Sequence, residues 1–221
     1  IQLINKLEFD KNFIRLGTGE LSPQLFPQDM LADVFRALPA KISSLNYLEA
    51  RGLSELRESL VQRLASRGIN VKPSNILITS GSLQALQLIS VGMLKPGAQV
   101  YTETPTYLKS LQVFQSAGIS FTGIAMDKSG LVPWKIGKVP NDSLLYTIQT
   151  YQNPTTLVMT AARRKEVFDF CSKYRLPILE YYAYGYLHFD GITPPLPIKA
   201  WDDSGVVLYT GTISKTLAPG F

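Results

Sequence analysis

Short apolar segments alternate with helix-like segments from residue 75 onward, and this alternation restricts the fold more than any other feature. The apolar segments fall at 76–79, 99–103, 120–124, 144–148, 177–180 and 206–210, and helical spacing falls at 82–94, 106–117 and 160–174. Strands that are apolar along their whole length are buried on both faces, as in parallel sheets covered by helices. The sequence therefore predicts an α/β fold of three layers around one mostly parallel sheet.

The first part of the chain is organised differently. Residues 1–28 contain Gly17, Gly19, Pro23 and Pro27 among isolated apolar residues, which indicates an extended arm. Helical spacing follows at 29–38 and again at 53–66. We expect an arm with a first helix over residues 1–40 and a large domain over residues 41–221.

The composition of the chain excludes several kinds of site. His188 is the only histidine and Cys171 the only cysteine, which nearly excludes Cys/His metal clusters and a Ser-His-Asp triad, and a single cysteine permits no internal disulfide. The net charge of +5 comes from scattered residues, and the triplet 163–165 is interpreted as a solvated helix face. Apolar runs stay below the roughly 18 residues of a membrane span, and the first residues do not form a signal peptide. We expect a cytoplasmic protein whose chemistry needs a cofactor.

One lysine follows the last apolar segment in a turn rich in hydroxyl groups. Thr212 and Ser214 precede Lys215, and a short apolar turn with Pro219 and Gly220 follows it. An amine at a strand end becomes a nucleophile toward an aldehyde when its surroundings lower its pKa or align it with the carbonyl. Lys215 is therefore a candidate covalent anchor for a cofactor, and a solvated loop lysine is the alternative interpretation.

Other candidate residues follow earlier apolar segments, where ligands bind in open parallel sheets. Ser82 and Leu83 open a helix whose backbone N–H groups suit a phosphate, although a common helix cap has the same pattern. Tyr107 is placed to stack on a ring, or is an ordinary core tyrosine. Asn153 and Tyr184 could both donate hydrogen bonds to one phenolate oxygen. For Asn153, an ordinary Asn-Pro turn without a binding role is the alternative.

Taken together, these motifs resemble the large domain of fold-type I aminotransferases, which depend on pyridoxal 5′-phosphate (PLP). More narrowly, residues 80–94, 107–110 and 114–118 look like the aminotransferase-like domain of MocR-type transcription regulators of the GntR family. The resemblance implies Lys215 in the Schiff base with PLP. It also implies the following cofactor contacts: Ser82, Leu83, Thr212 and Ser214 near the phosphate, Tyr107 over the ring, and Asn153 and Tyr184 on the ring oxygen. Tyr47 resembles the tyrosine that reaches the cofactor of the neighbouring subunit in the family's dimer.

The chain departs from the family pattern at three places. The aspartate that pairs with the pyridine nitrogen is replaced by Tyr181, and Glu180 is a doubtful substitute because neighbouring strand residues point to opposite faces. The glycine of the family's Asn-Pro-Thr-Gly motif is replaced by Thr156. The sequence given ends at Phe221, before the family's phosphate-binding arginine, last strand and C-terminal small domain.

Three functions remain open at this point. The first is a PLP-binding effector domain of a MocR-type regulator, which would sense a small amino acid or amine and contact DNA only through another domain. The second is an aminotransferase of the kynurenine/2-aminoadipate type, and the third is a catalytically inactive fragment. The resemblance further implies a homodimer without membrane contact.

Overall fold

The computed structural model describes residues 6–7, 10, 12–14, 17, 19–43 and 46–219, which divide into two compact units. The larger unit comprises residues 46–212, and the smaller comprises the described residues before 44 together with 213–219. The main helix of the smaller unit, α1, spans Gln28–Lys41. It confirms the helix predicted at 29–38 and extends it at both ends. Within the described residues, every helix is too short or too polar to cross a membrane.

A six-stranded sheet forms the centre of the larger unit. The strands are β1 (Gln99–Thr104), β2 (Ser120–Asp127), β3 (Gly130–Leu131), β4 (Ser143–Thr147), β5 (Ile178–Tyr182) and β6 (Val207–Gly211). They lie in the order β3-β2-β1-β4-β5-β6, and every pair is parallel except β2 with β3. The helices are α2 (Ser54–Ala65), α3 (Ser82–Gly92), α4 (Leu108–Ser116) and α5 (Ala161–Tyr174). The prediction of one mostly parallel sheet is confirmed.

The strand predicted at 76–79 is wrong. This segment lies outside the sheet, and the N–H of Ile78 donates to the carbonyl oxygen of Arg51 in a loop at 3.0 Å. A segment becomes a strand only where a neighbour supplies a ladder of such bonds, and apolar composition does not reveal whether a neighbour exists. The sequence also gave no signal for β3, whose two residues pair antiparallel with the end of β2.

Two apolar cores lie on opposite faces of the sheet, because side chains alternate along each strand. In β4, Leu145 belongs to one core, and Leu144 and Tyr146 belong to the other. The first core includes Val167 and Cys171 of α5, and the second includes Leu86 of α3 and Phe114 of α4. Helices therefore cover both faces, which confirms the three-layer arrangement.

The basic triplet at the start of α5 is not the solvated face that we predicted. Thr160 caps this helix by accepting a hydrogen bond from the N–H of Arg163 at 3.2 Å. The Arg164 side chain is 0% exposed and donates to four backbone carbonyl oxygens, those of Met159, Pro195, Leu196 and Gln149. Arg163 is also buried and pairs with Asp127 at 2.8 Å, and only Lys165 is exposed. Backbone carbonyls and carboxylates satisfy these guanidinium groups, and a count of charges along a helix cannot reveal such partners.

Candidate functional site

The strand order reverses between β1 and β4, and the loops that follow these strands meet there. From β1 the chain continues to β2 on one side, and from β4 it continues to β5 on the other. In open α/β sheets, ligands bind outside the carboxyl ends of the strands at such a switch point. Tyr107 follows β1, Asn153 follows β4 and Tyr184 follows β5. The fold therefore brings three of the predicted residues to one edge of the sheet.

Asn153 and Tyr184 contact each other directly. The Asn153 amide donates a hydrogen bond from Nδ2 to the Tyr184 hydroxyl at 3.2 Å, and both residues are half-buried. The two side chains come from different loops, so the contact fixes the loop after β4 against the loop after β5. The ring-oxygen role of both residues stays a prediction.

Gln152, a residue that the sequence did not single out, holds the loop that carries Asn153. Its side chain is 2% exposed, donates to the carbonyl oxygen of Pro105 at 2.8 Å, and accepts from the N–H and hydroxyl of Thr155 at 2.9 and 2.7 Å. It thus ties the loop after β4 to the loop after β1. Thr156, at the family's glycine position, has a φ of +63°, the left-handed region in which glycine is favoured.

Glu103, near the end of β1, links β1 to β4 through a buried side chain. Its carboxylate accepts hydrogen bonds from the Thr147 hydroxyl and from the N–H of Ile148, the latter at 2.9 Å. The side chain is fully buried, and loss of hydration raises the pKa of Glu103 to about 7, against the lowering effect of these two donors. Sequence patterns do not indicate this role, because the partners of a strand-end glutamate depend on the strand beside it.

Ser82, the predicted phosphate ligand, is bonded to Tyr181. Gly81 has a φ of +80° and leads into α3, which begins at Ser82. The Ser82 Oγ lies 2.6 Å from the Tyr181 hydroxyl, and either group could be the donor. Leu83 is half-buried and packs against the second apolar core. The phosphate role of both residues stays a prediction.

Tyr181 lies within a group of aromatic rings. Its centroid is 6.2 Å from that of Tyr107, with 36° between the ring planes, and 5.8 Å from that of Tyr146. Burial, together with the neighbouring phenols of Tyr181 and Tyr184, raises the pKa of Tyr107 to about 12. Burial also raises the pKa of Tyr181. These phenols are therefore neutral at physiological pH and can donate hydrogen bonds.

Glu180 faces the opposite side of the sheet and cannot replace the missing aspartate. Its carboxylate accepts hydrogen bonds from the backbone N–H groups of Ile198 and Lys199, at 2.7 and 2.8 Å, and from the amide of Gln149. Burial raises the pKa of Glu180 to about 7. Because side chains alternate along β5, the carboxylate at 180 and the phenol at 181 serve different layers.

Lys215 and Ser214 belong to the smaller unit, four and three residues beyond the end of β6 in the chain. They lie in a tight turn in which the N–H groups of Thr216 and Leu217 both donate to the carbonyl oxygen of Ile213, at 3.2 and 2.9 Å. Lys215 is half-buried, which disfavours the solvated-loop interpretation. Thr212, directly after β6, belongs to the larger unit. The predicted cofactor roles of these three residues stay predictions.

Tyr47 is fully exposed in the larger unit, and its predicted reach to a neighbouring subunit stays a prediction. The described residues contain no group of histidine, cysteine, aspartate and glutamate side chains able to hold a metal ion.

The curated proteins similar to this chain include both regulators and enzymes. An uncharacterized HTH-type transcriptional regulator of Bacillus subtilis, YisV, is 46% identical over 226 residues, which cover 100% of this chain and 46% of that protein. Aromatic-amino-acid aminotransferase 1 of Thermococcus litoralis is 35% identical over 232 residues, covering 100% of this chain and 55% of the enzyme. The chain thus spans about half the length of these relatives.

A solved structure and a family profile agree with this similarity. The kynurenine aminotransferase of Pyrococcus horikoshii, solved in complex with PMP, superposes with a TM-score of 0.87 at 35% identity, covering 99% of this chain and 56% of the enzyme. The profile of the family Aminotransferase class I and II matches residues 11–220. The chain belongs to the class I and II aminotransferase family, whose cofactor is pyridoxal 5′-phosphate.

Proposed function

We propose that this chain is the PLP-binding, aminotransferase-like effector domain of a MocR-type transcription regulator, with PLP held through Lys215. The observation that supports cofactor binding is the convergence of Tyr107, Asn153 and Tyr184 at the switch in strand order. The regulator assignment is supported by the identities: 46% and 43% to two Bacillus subtilis HTH-type regulators, against 35% to the Thermococcus litoralis aminotransferase. The division into an arm over residues 1–40 and a large domain over residues 41–221 is part of this proposal.

The residues of the larger unit fit the cofactor on one side of the site. The Asn153 amide and the Tyr184 hydroxyl are hydrogen-bond donors suited to a phenolate oxygen, and Tyr107 offers an aromatic face. On the other side, the described position of Tyr181 conflicts with cofactor binding, because its phenol already holds Ser82. When bound, PLP supplies an aldehyde that captures amines and a ring that accepts electrons.

A sensor domain of this kind would recognise a small amino acid or amine, work as a homodimer to which Tyr47 contributes, and reach DNA only through another domain. Tyr181 supports a sensing role over catalysis. A carboxylate beside the pyridine nitrogen keeps that nitrogen protonated and strengthens the ring as an electron acceptor, whereas a neutral phenol does not.

A second candidate is an aminotransferase of the kynurenine/2-aminoadipate type. It is supported by the TM-score of 0.87 to the Pyrococcus horikoshii kynurenine aminotransferase and by the Asn153–Tyr184 contact. A regulator domain would retain an amino acid without turning it over, whereas an aminotransferase would pass its amino group to an added 2-oxo acid. Steady-state formation of the new amino acid distinguishes the two.

The assignment of Lys215 can be tested by fixing the cofactor on the protein. The purified chain is mixed with PLP, its absorbance spectrum is recorded, borohydride is added, and the labelled peptide is identified by mass spectrometry. We expect the label on Lys215 and its loss in Lys215→Ala, with Lys165→Ala as a matched control because Lys165 is an exposed lysine on α5. A cofactor band that persists in Lys215→Ala would refute the assignment, and an unlabelled wild-type protein would favour the inactive fragment.

A further inference from the structure

The Tyr181 phenol extends from the end of β5 to the beginning of α3. Its hydroxyl lies 2.6 Å from Ser82 Oγ, and the residue is only 6% exposed. The ring has Tyr107 on one side, at 6.2 Å between centroids, and Tyr146 on another, at 5.8 Å. An aromatic ring with a polar tip therefore fills the interval between residue 181 and Ser82.

The same interval is where the family resemblance expects the cofactor. Residue 181 corresponds to the position that contacts the pyridine nitrogen, and Ser82 to a position that contacts the phosphate. A pyridine ring that joins these two contacts must lie between them. With the Tyr181 hydroxyl directly on Ser82, that space holds a phenol of similar size and shape.

We propose that Tyr181 acts as an intramolecular substitute for PLP, so that its phenol must leave Ser82 before the cofactor can bind. This inference rests on the proposed function, since it assumes that PLP is the natural occupant of this edge of the sheet. Tyr181 then determines the affinity for PLP, because binding must break the contact with Ser82 and remove the phenol from its aromatic surroundings. A smaller side chain at position 181 leaves a ring-sized space lined by Tyr107 and Tyr146 and able to receive PLP.

The first experiment measures the equilibrium affinity for PLP by absorbance titration of the wild-type chain, Tyr181→Ala and Tyr181→Phe. We expect Tyr181→Ala to bind PLP at least about tenfold more tightly than the wild type, because neither the hydrogen bond nor the ring burial must be given up. Tyr181→Phe keeps a ring in the same place and loses only the hydroxyl, so its gain should be smaller. The control is Tyr101→Phe, which loses a tyrosine hydrogen bond in the other core, to the Lys138 carbonyl oxygen at 3.1 Å, and should match the wild type.

The second experiment follows the displaced phenol without any substitution. The wild-type chain is nitrated with tetranitromethane, with and without saturating PLP, and modification of each tyrosine is quantified by mass spectrometry. We expect PLP to increase nitration of Tyr181, which is now buried, and to leave Tyr146 unchanged. This measurement remains decisive if Tyr181→Ala fails to fold.

The outcomes separate this inference from the proposed function. If the wild type and Tyr181→Ala bind PLP with equal affinity, the substitute role is overturned and PLP binding stands. A Tyr181 that PLP protects from nitration, or leaves unchanged, overturns the substitute role in the same way. If neither the wild type nor any variant at position 181 binds PLP, both proposals fail.

Discussion

The two sides of the candidate site differ in how closely they follow the family. On the side of Asn153 and Tyr184, two loops bring together an amide and a phenol at the positions that the resemblance assigns to the ring oxygen. On the side of Ser82 and Tyr181, the serine predicted to bind the phosphate is present, but a phenol stands where the family has a carboxylate, and this phenol bonds to the serine. Under the substitute role proposed for Tyr181, one substitution at a strand end changes what occupies a site while the surrounding fold remains.

The residue beside Tyr181 shows why this change is not compensated locally. Glu180 brings a carboxylate within one position of the family's aspartate, but its side chain points to the opposite layer. There it accepts hydrogen bonds from the N–H groups of Ile198 and Lys199. Because side chains alternate along a strand, those of neighbouring residues on β5 point to opposite layers.

The largest expected effect concerns Glu103, which links β1 to β4, the strand that leads to Asn153. Its pKa in the folded chain is about 7, above the ordinary value of 4.5, so the folded state binds this proton more tightly than the unfolded state. The stability gained from this proton is complete below pH 4.5 and is lost as the pH rises through 7. Between pH 4 and pH 8 the loss is about 3 kcal/mol.

Urea unfolding at pH 4 and pH 8 tests this expectation. Glu103→Gln cannot ionise, so its stability relative to the wild type should rise by about 3 kcal/mol between the two pH values. The exposed Glu58→Gln serves as control and should follow the wild type. Glu180 also makes the free energy of unfolding depend on pH, and it does so equally in every variant. Only the difference between variants therefore reports on Glu103. If the free energy of unfolding changes equally with pH in the wild type and in Glu103→Gln, folding does not raise the pKa of Glu103.

Amino transfer tests whether the side of Ser82 and Tyr181 supports catalysis. We expect the chain to transfer amino groups at least about 10²-fold more slowly than the Pyrococcus horikoshii kynurenine aminotransferase assayed beside it. The reason is that the neutral Tyr181 phenol does not keep the pyridine nitrogen protonated as a carboxylate does. Tyr181→Asp should strengthen PLP binding, because a carboxylate at position 181 can pair with the pyridine nitrogen. Turnover by the wild-type chain at the rate of the enzyme would contradict the interpretation of Tyr181.

Variants of Asn153 and Tyr184 should change PLP affinity in the direction opposite to variants of Tyr181. Asn153→Ala and Tyr184→Phe each remove a donor from the ring-oxygen side, and each should weaken PLP binding about fivefold, or about 1 kcal/mol. The absorbance titration used for Tyr181 measures both effects on one scale, with Tyr101→Phe again as control. If variants on both sides shift the affinity in the same direction, the contrast between the two sides is wrong.

The sequence predicted the elements of the fold better than their partners. Five of the six strands predicted from the apolar pattern are present, because burial on both faces leaves a continuous apolar run, as in 144–148. It failed at 76–79, where the same composition occurs outside the sheet. Motif order placed Tyr107, Asn153 and Tyr184 at one edge, because the fold determines where strands end. The Gln152 contacts, the Glu103 bridge and the Tyr181–Ser82 bond escaped prediction, since each joins residues distant in the chain through side-chain geometry.

The smallest expected effect concerns Thr156, which departs from the family without disturbing the contact between Asn153 and Tyr184. Its φ of +63° places a side chain with a branched Cβ in the left-handed region, at a cost of roughly 1–2 kcal/mol. Thr156→Gly removes this cost, but glycine loses more backbone entropy on folding, so the net gain should be about 0.5–1 kcal/mol. Thermal unfolding should show a melting temperature higher by about 2 °C, and PLP affinity should not change. Thr156→Ser keeps a Cβ in the same backbone conformation and should show no comparable gain. A glycine variant that melts below the wild type would show that the Thr156 side chain stabilises the loop.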